Sequence, residues 1–100
     1  MLIGRVIGEI VSSQKESTLG GLKLLVVQNT DPGGQPKNGT VVAVDSVGAG
    51  VGELVLYASG SSARQTGVTK DRPVDAVIMA IIDSISQRGE ETYSKSKDPH

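Results

Sequence analysis

The stretch that most invites a chemical reading is Asp45-Ser-Val-Gly-Ala-Gly-Val-Gly-Glu53, in which glycine recurs at 48, 50 and 52. A glycine-rich loop holds a nucleotide phosphate when it follows a strand and opens a helix, because the anion then rests on the helix's unpaired N–H groups. Here the glycines run into Glu53-Leu-Val-Leu-Tyr-Ala58, which reads as a strand, and no Gly-Lys-Ser/Thr follows. Nor does the chain have room for the βαβ units of a dinucleotide fold. The motif is therefore read as a tight turn between strands, where glycine supplies a positive φ or a close backbone approach. No cofactor is expected.

The remaining chemistry-bearing residues are sparse. The only histidine is His100, the last residue, and there is no cysteine. Imidazole- and thiolate-based nucleophilic schemes thus lack an ordered partner. Asp45, Glu53, Asp71, Asp75 and Asp83 offer carboxylates, but no spacing marks two of them as an acid–base pair, and there is no Asp-x-Asp-x-Asp loop of the calcium kind. Ion pairs with Arg64 and Arg72 are the simpler role for them, contributing about 0–1 kcal/mol each where exposed. No catalytic or metal-binding residue is expected, and the chain is read as a non-enzyme.

Single-stranded nucleic acid is the alternative ligand to weigh, because small five-stranded barrels stack bases on aromatic side chains. Tyr57 and Tyr93 are the only aromatic residues, and Lys95 and Lys97 are flanked by Glu90, Glu91 and Asp98. Ten Lys and Arg against eleven Asp and Glu leave a net charge of −1, with no basic groove to attract a phosphate backbone. Tyr57 reads better as a buried ring with its hydroxyl at a rim. An OB-like nucleic-acid-binding module is therefore the second reading.

The elements that would position these residues are strands. One hundred residues form one domain with a single core. With no Phe or Trp, that core is built from Val, Ile, Leu and Ala, and its β-branched residues favour sheet. The opening run lacks the pattern of a signal peptide and nothing is long enough to span a bilayer, so a cytoplasmic location is expected. Leu2 to Val11 alternates in period two, placing Leu2, Gly4, Val6, Gly8 and Ile10 on one face. Glycines on an inward face permit the bend of a small barrel. Further strands are read at Leu22–Gln28, Thr40–Val47, Glu53–Ser59 and Ala76–Asp83. Residues 31–39 read as an exposed loop, and Gly60–Arg64 as a short helix capped by Ser61 or Ser62. The sum is a mainly β chain, a small antiparallel five-stranded Greek-key, OB-like barrel with one or two short helices over 1–85, and a polar C-terminal tail over 86–100. Leu24 to Val27 and the last strand are apolar on both faces, whereas a barrel has one inside. Covering the outer faces with further copies of the chain is economical, so a homo-oligomer is expected.

Five segments occur in an order that carries a resemblance. They are Arg5-Val-Ile-Gly8, Gly21-Leu-Lys-Leu-Leu25 with Val27-Gln28, Asp45-Ser-Val-Gly-Ala-Gly50, Val55-Leu-Tyr-Ala-Ser-Gly-Ser-Ser-Ala-Arg64, and Asp71-Arg-Pro-Val-Asp-Ala76 with Ile81-Ile-Asp83. Over most of residues 2–83 the chain resembles the bacterial microcompartment vertex proteins, the family of carboxysome and ethanolamine-utilisation shell pentamers. The resemblance implies a five-stranded barrel assembled as a cyclic homopentamer with a narrow central opening, no catalytic residues, and hexameric shell proteins as partners. Sheets of hexagonal tiles cannot close, so five-fold units sit at the vertices of the shell. On this reading Gly48, Ala49 and Gly50 turn toward the five-fold axis, where a side chain larger than methyl clashes. Arg64, Arg72 and Asp75 are expected to form ion pairs near the subunit seam.

Overall fold

A computed structural model of the chain describes residues 1–11, 23–60, 63 and 74–100. Five strands close a barrel: β1 (Leu2–Ile10), β2 (Lys23–Thr30), β3 (Pro36–Asp45), β4 (Leu54–Ser59) and β5 (Ala76–Ile81), in the order β1-β2-β3-β5-β4. All neighbours are antiparallel except β3 and β5, which close the barrel in parallel through Val44 opposite Val77 and Asp45 opposite Ile78. The purely antiparallel barrel read from the sequence is corrected by that single short seam. The barrel itself, its five strands and their chain order stand.

Alternation sorts the strands into an inside and an outside. Leu25, Val27, Ala43, Val55, Tyr57, Ala76 and Ile78 point inward with Val6 and form a fully aliphatic interior around one tyrosine ring. The Tyr57 hydroxyl reaches the rim and donates to Asn29 Oδ1. Burial holds the phenol above its ordinary pKa, so it stays protonated and a donor. Gly4 lies beneath this ring. A Cβ there would stand 2.8 Å from the Gln28 carbonyl oxygen and 3.3 Å from Tyr57 Cε1, and would overlap Val27 Cγ1.

β1 departs from its simple alternation. A bulge between Val6 and Gly8 shifts the register, so Gly4 pairs with Asn29 and Val6 with Val27, but Gly8 pairs with Val26 and Ile10 with Leu24. A one-residue slip carries every later side chain to the other face. Gly8 and Ile10 therefore belong to the outer surface, not to the inner face that a period-two reading of β1 predicts. Leu2, placed on that same inner face, is also exposed. Residues 31–35 form a compact turn in which Asp31 Oδ1 accepts from the Gly33 and Gln35 amides at 2.9 and 3.0 Å. β3 starts directly after it at Pro36, where a strand's first position tolerates the missing N–H. The helix expected from Gly60 falls largely outside the described residues.

The polar tail folds. Ser84–Gln87 (β6) and Glu90–Ser94 (β7) make an antiparallel hairpin, followed by a 3₁₀ turn at Lys95–Lys97. It lies on the outside of β1 and β4, where Tyr93 and Ile85 pack with Leu54, Ile82, Ile3 and Leu56. A second outer cluster, Val44, Ala58, Ala63, Val74 and Val77, covers the β3–β5–β4 side. Substituting Gly4→Ala forces Val27 and Tyr57 aside, and overpacking of this kind costs about 1–3 kcal/mol. The urea midpoint of the variant, measured at the wild type's protein concentration, is expected to fall accordingly; an unchanged midpoint would show that the space beneath Tyr57 relaxes freely.

Candidate functional site

The glycine stretch joins β3 to β4 across one end of the barrel. Asp45, at the end of β3, turns the chain by accepting the Val47 amide on Oδ1 at 3.1 Å and the Ala49 amide on Oδ2 at 3.0 Å. Lys23 from β2 seals the turn, donating to the Ala49 carbonyl at 2.9 Å and lying 3.3 Å from Asp45 Oδ2. Gly48 between them has φ +83°, and nothing lies within 4 Å of the place a Cβ would take. Backbone conformation, and not crowding within the subunit, therefore demands glycine there. Ala49 is fully buried, and its methyl packs into the barrel interior. Ala49's side-chain position is thus occupied inside its own chain. The exposed apolar groups here are Val47 and Val51, at 41% and 60%.

The second half of the loop is tied to the rest of the chain. Gly52 N donates to the Val6 carbonyl at 2.8 Å and Val6 N to the Glu53 carbonyl at 2.9 Å, continuing the β1–β4 ladder past Leu54. Glu53 Oε1 accepts the Gly50 amide at 2.6 Å, and Glu53 Oε2 pairs with Lys95 Nζ at 2.5 Å. The Lys95 hydrogen bond, followed by the Gly50 amide, holds the Glu53 carboxyl below its usual range and raises the lysine above its own.

Behind the loop sits a buried charge centre that sequence reasoning missed. Arg5 points outward from β1, yet the hairpin covers it. Its Nη1 donates to Gly52 O at 2.9 Å and to Asp98 Oδ2 at 2.6 Å, with both side chains about nine-tenths buried. Tyr93 Oη donates to the same Asp98 oxygen at 3.1 Å, and the His100 ring and amide meet Asp98 Oδ1 at 2.8 and 3.2 Å. Burial opposes ionisation of Asp98, but the bonds from Arg5, His100 and Tyr93 outweigh it and hold the carboxyl well below the usual carboxylate range. Burial and then the bond to Asp98 push the Tyr93 phenol up. Only Arg5, a charge in the middle of a largely aliphatic strand, could have signalled this centre. Beside it runs an open cleft of about 740 Å³, lined by Arg5, Gln28, Thr30, Tyr93 and Lys97 among others. Two of its cations are paired, Arg5 with Asp98 and Lys97 with Glu91 at 3.7 Å.

Asp83 and Asp75 are exposed; Asp75 accepts the Gly60 amide on its carbonyl at 2.8 Å. Arg64, Arg72 and Asp71 lie outside the described residues. Among the described residues no three His, Asp or Glu side chains cluster as metal ligands, and no helix is long and apolar enough to cross a membrane. Tyr57 and Tyr93 are 2% and 7% exposed, so neither offers a face for stacking a base.

The Asp98 carboxylate favours the folded state above its ordinary pKa of 3.8, and that contribution is lost as pH falls through its depressed folded value. Replacing it, Asp98→Asn, leaves the Arg5 charge buried without its counter-ion. The melting temperature is expected to fall at pH 7, by an amount reflecting about 1–3 kcal/mol, and by a progressively smaller amount as the pH is lowered below 3.8. A loss that stays the same from pH 7 down to pH 2 would contradict the assignment.

Known proteins are similar to this chain in sequence and fold. The family described as "Ethanolamine utilisation protein EutN/carboxysome" matches residues 1–83. The carboxysome shell vertex protein CcmL of Gloeobacter violaceus is 50% identical over 95 residues, 95% of each chain. Its solved structure superposes with a TM-score of 0.90 at 49% identity, covering 97% of this chain and all of that one. The bacterial microcompartment shell vertex protein EutN of Escherichia coli is 40% identical over 95% of this chain and 100% of its own. The GrpN pentameric microcompartment shell protein of Rhodospirillum rubrum superposes with a TM-score of 0.78 at 42% identity, over 87% of this chain and 99% of that one. Sequence and fold agree along nearly the whole length, and the chain belongs to the EutN/CcmL family.

Proposed function

We propose that this chain is a structural subunit of a polyhedral bacterial microcompartment in the cytoplasm. It assembles as a homopentamer, caps the vertices of the shell, and meets hexameric shell proteins along its sides, with no catalytic role. The observation that carries the reading is an apolar row left on the outside of the barrel. Gly8, Val26 and Val42 lie side by side across β1, β2 and β3, facing away from the interior. Val42 and the bulged Ile7 are each 48% exposed. A sheet face of this kind is covered by association, and cyclic association of identical copies gives each the same covered face. The pentameric relative and the vertex names of the others support five as the number.

Loop 48–50 then faces the five-fold opening. Gly48 is exposed, with open space on its side-chain side, and the Val47 and Val51 side chains flank it. Ala49 contributes backbone there and a methyl to its own core. Asp75, with Arg64 and Arg72 shortly before it in the chain, is assigned to the seam between subunits.

Native mass spectrometry of the purified protein is expected to give a five-subunit species, and a monomer persisting at high concentration would refute the assembly. The absence of cysteine provides a clean background for locating the opening. In Val51→Cys, mild oxidation is expected to yield disulfide-linked subunit pairs within one pentamer. Pentamers that form normally but never cross-link would place the loop away from the axis.

A further inference from the structure

The C-terminal segment meets the glycine loop at three points. Lys95 Nζ holds one oxygen of the Glu53 carboxylate at 2.5 Å, while the other oxygen holds the Gly50 amide at 2.6 Å. Arg5 Nη1 joins the Gly52 carbonyl to Asp98. The His100 backbone abuts Gly52, where a Cβ would stand 3.3 Å from the His100 carbonyl carbon. Two halves of the loop are thus held by different parts of the chain. Asp45 and Lys23, both on barrel strands, fix Val47 and Ala49. Gly52 is held by β1, through the Val6 carbonyl and Arg5, and touched by His100, whereas the Gly50 amide is held by Glu53, whose carboxylate the tail's Lys95 anchors. Glycine at 50 and 52 gives this half little conformational preference of its own, and the backbone bond that closes it, from Glu53 N to Gly50 O, is long at 3.2 Å.

We propose that Glu53 is a positioning residue that couples the docked C-terminal segment to loop 50–52, so that the segment's placement sets the shape of that half of the loop. One carboxylate serves both partners, and drawing Lys95 away removes the counter-charge that holds Glu53 in place against the Gly50 amide. A molecule that engages the exposed side of the segment and displaces it would therefore release the loop. The proposal bears on the shell's opening through the reading that this loop faces it, but the coupling itself is a property of the subunit.

Backbone amide exchange in the intact assembly tests the coupling without reference to where the loop lies. Lys95→Met alters a half-exposed residue outside the core. It is expected to speed exchange at the Gly50 amide about ten-fold, the loss of roughly one charge-assisted hydrogen bond. Lys95→Arg is expected to restore the wild-type rate. Glu53→Ala should match Lys95→Met, while the Val47 and Ala49 amides, held by Asp45, keep their rates in every variant. Gly50 exchange unchanged in Lys95→Met would overturn the proposal, even if Glu53→Ala accelerates it, because the tail would then have no part. Equal acceleration in Lys95→Arg and Lys95→Met would overturn it as well. Cross-linking through Val51→Cys reads the loop's location separately, so failure of one reading leaves the other standing.

Discussion

The structure depends on one constraint: strands of Val, Ile and Leu that are apolar on both faces close a barrel with a greasy outside. The interior needs one face of each strand, and the other still has to leave water. This chain covers two flanks itself. Its hairpin lies over β1 and β4 around Tyr93, and Ala63, Val74 and Ala58 close over Val44 and Val77. The third flank, the row from Gly8 through Val26 to Val42, lies outside both clusters among the described residues, with Val42 48% exposed. Burying an aliphatic side chain there contributes about 1.5–3 kcal/mol, so identical copies have reason to associate through it.

The same economy explains the site. A structural subunit needs a fixed shape more than a reactive group, and its polar residues are spent accordingly. Asp45 ends β3 and caps the turn; Glu53 joins loop to tail; Arg5 and Asp98 fasten the tail to the barrel. Each is committed to backbone amides, carbonyls or an opposite charge. The glycine motif serves geometry in the same way, with φ +83° at Gly48 where the chain reverses.

Much of this was legible in the residues because β-branched alternation is a strong signal. The five strands, the both-sided apolar character of Leu24–Val27 and the rim position of the Tyr57 hydroxyl all follow from it. The bulge at Ile7 was not legible, since nothing in Val-Ile-Gly marks where a register slips, and it carried Gly8 and Ile10 to the outside. The hairpin was hidden for a different reason. Its strands contain few apolar residues, chiefly Ile85 and Tyr93, and its turn uses Arg88 and Gly89 at φ +53° and +79°. A two-residue hairpin turn with positive φ at both positions ordinarily announces itself as Asn-Gly or Asp-Gly. Arg-Gly gives a weaker signal, so a folded clamp reads as a solvated end. The Arg5–Asp98 pair went unseen with it, because it spans nearly the whole chain and only the hairpin's docking brings the two together.

The central claim is that the open flank is what sibling subunits cover, and a charge placed in the middle of it gives the most direct test. Val42 points outward, so Val42→Asp leaves the barrel interior untouched. Sedimentation velocity is expected to show a folded monomer with the wild type's β-sheet circular dichroism at concentrations where the wild type is a pentamer. A variant that assembles as tightly as the wild type would contradict the account.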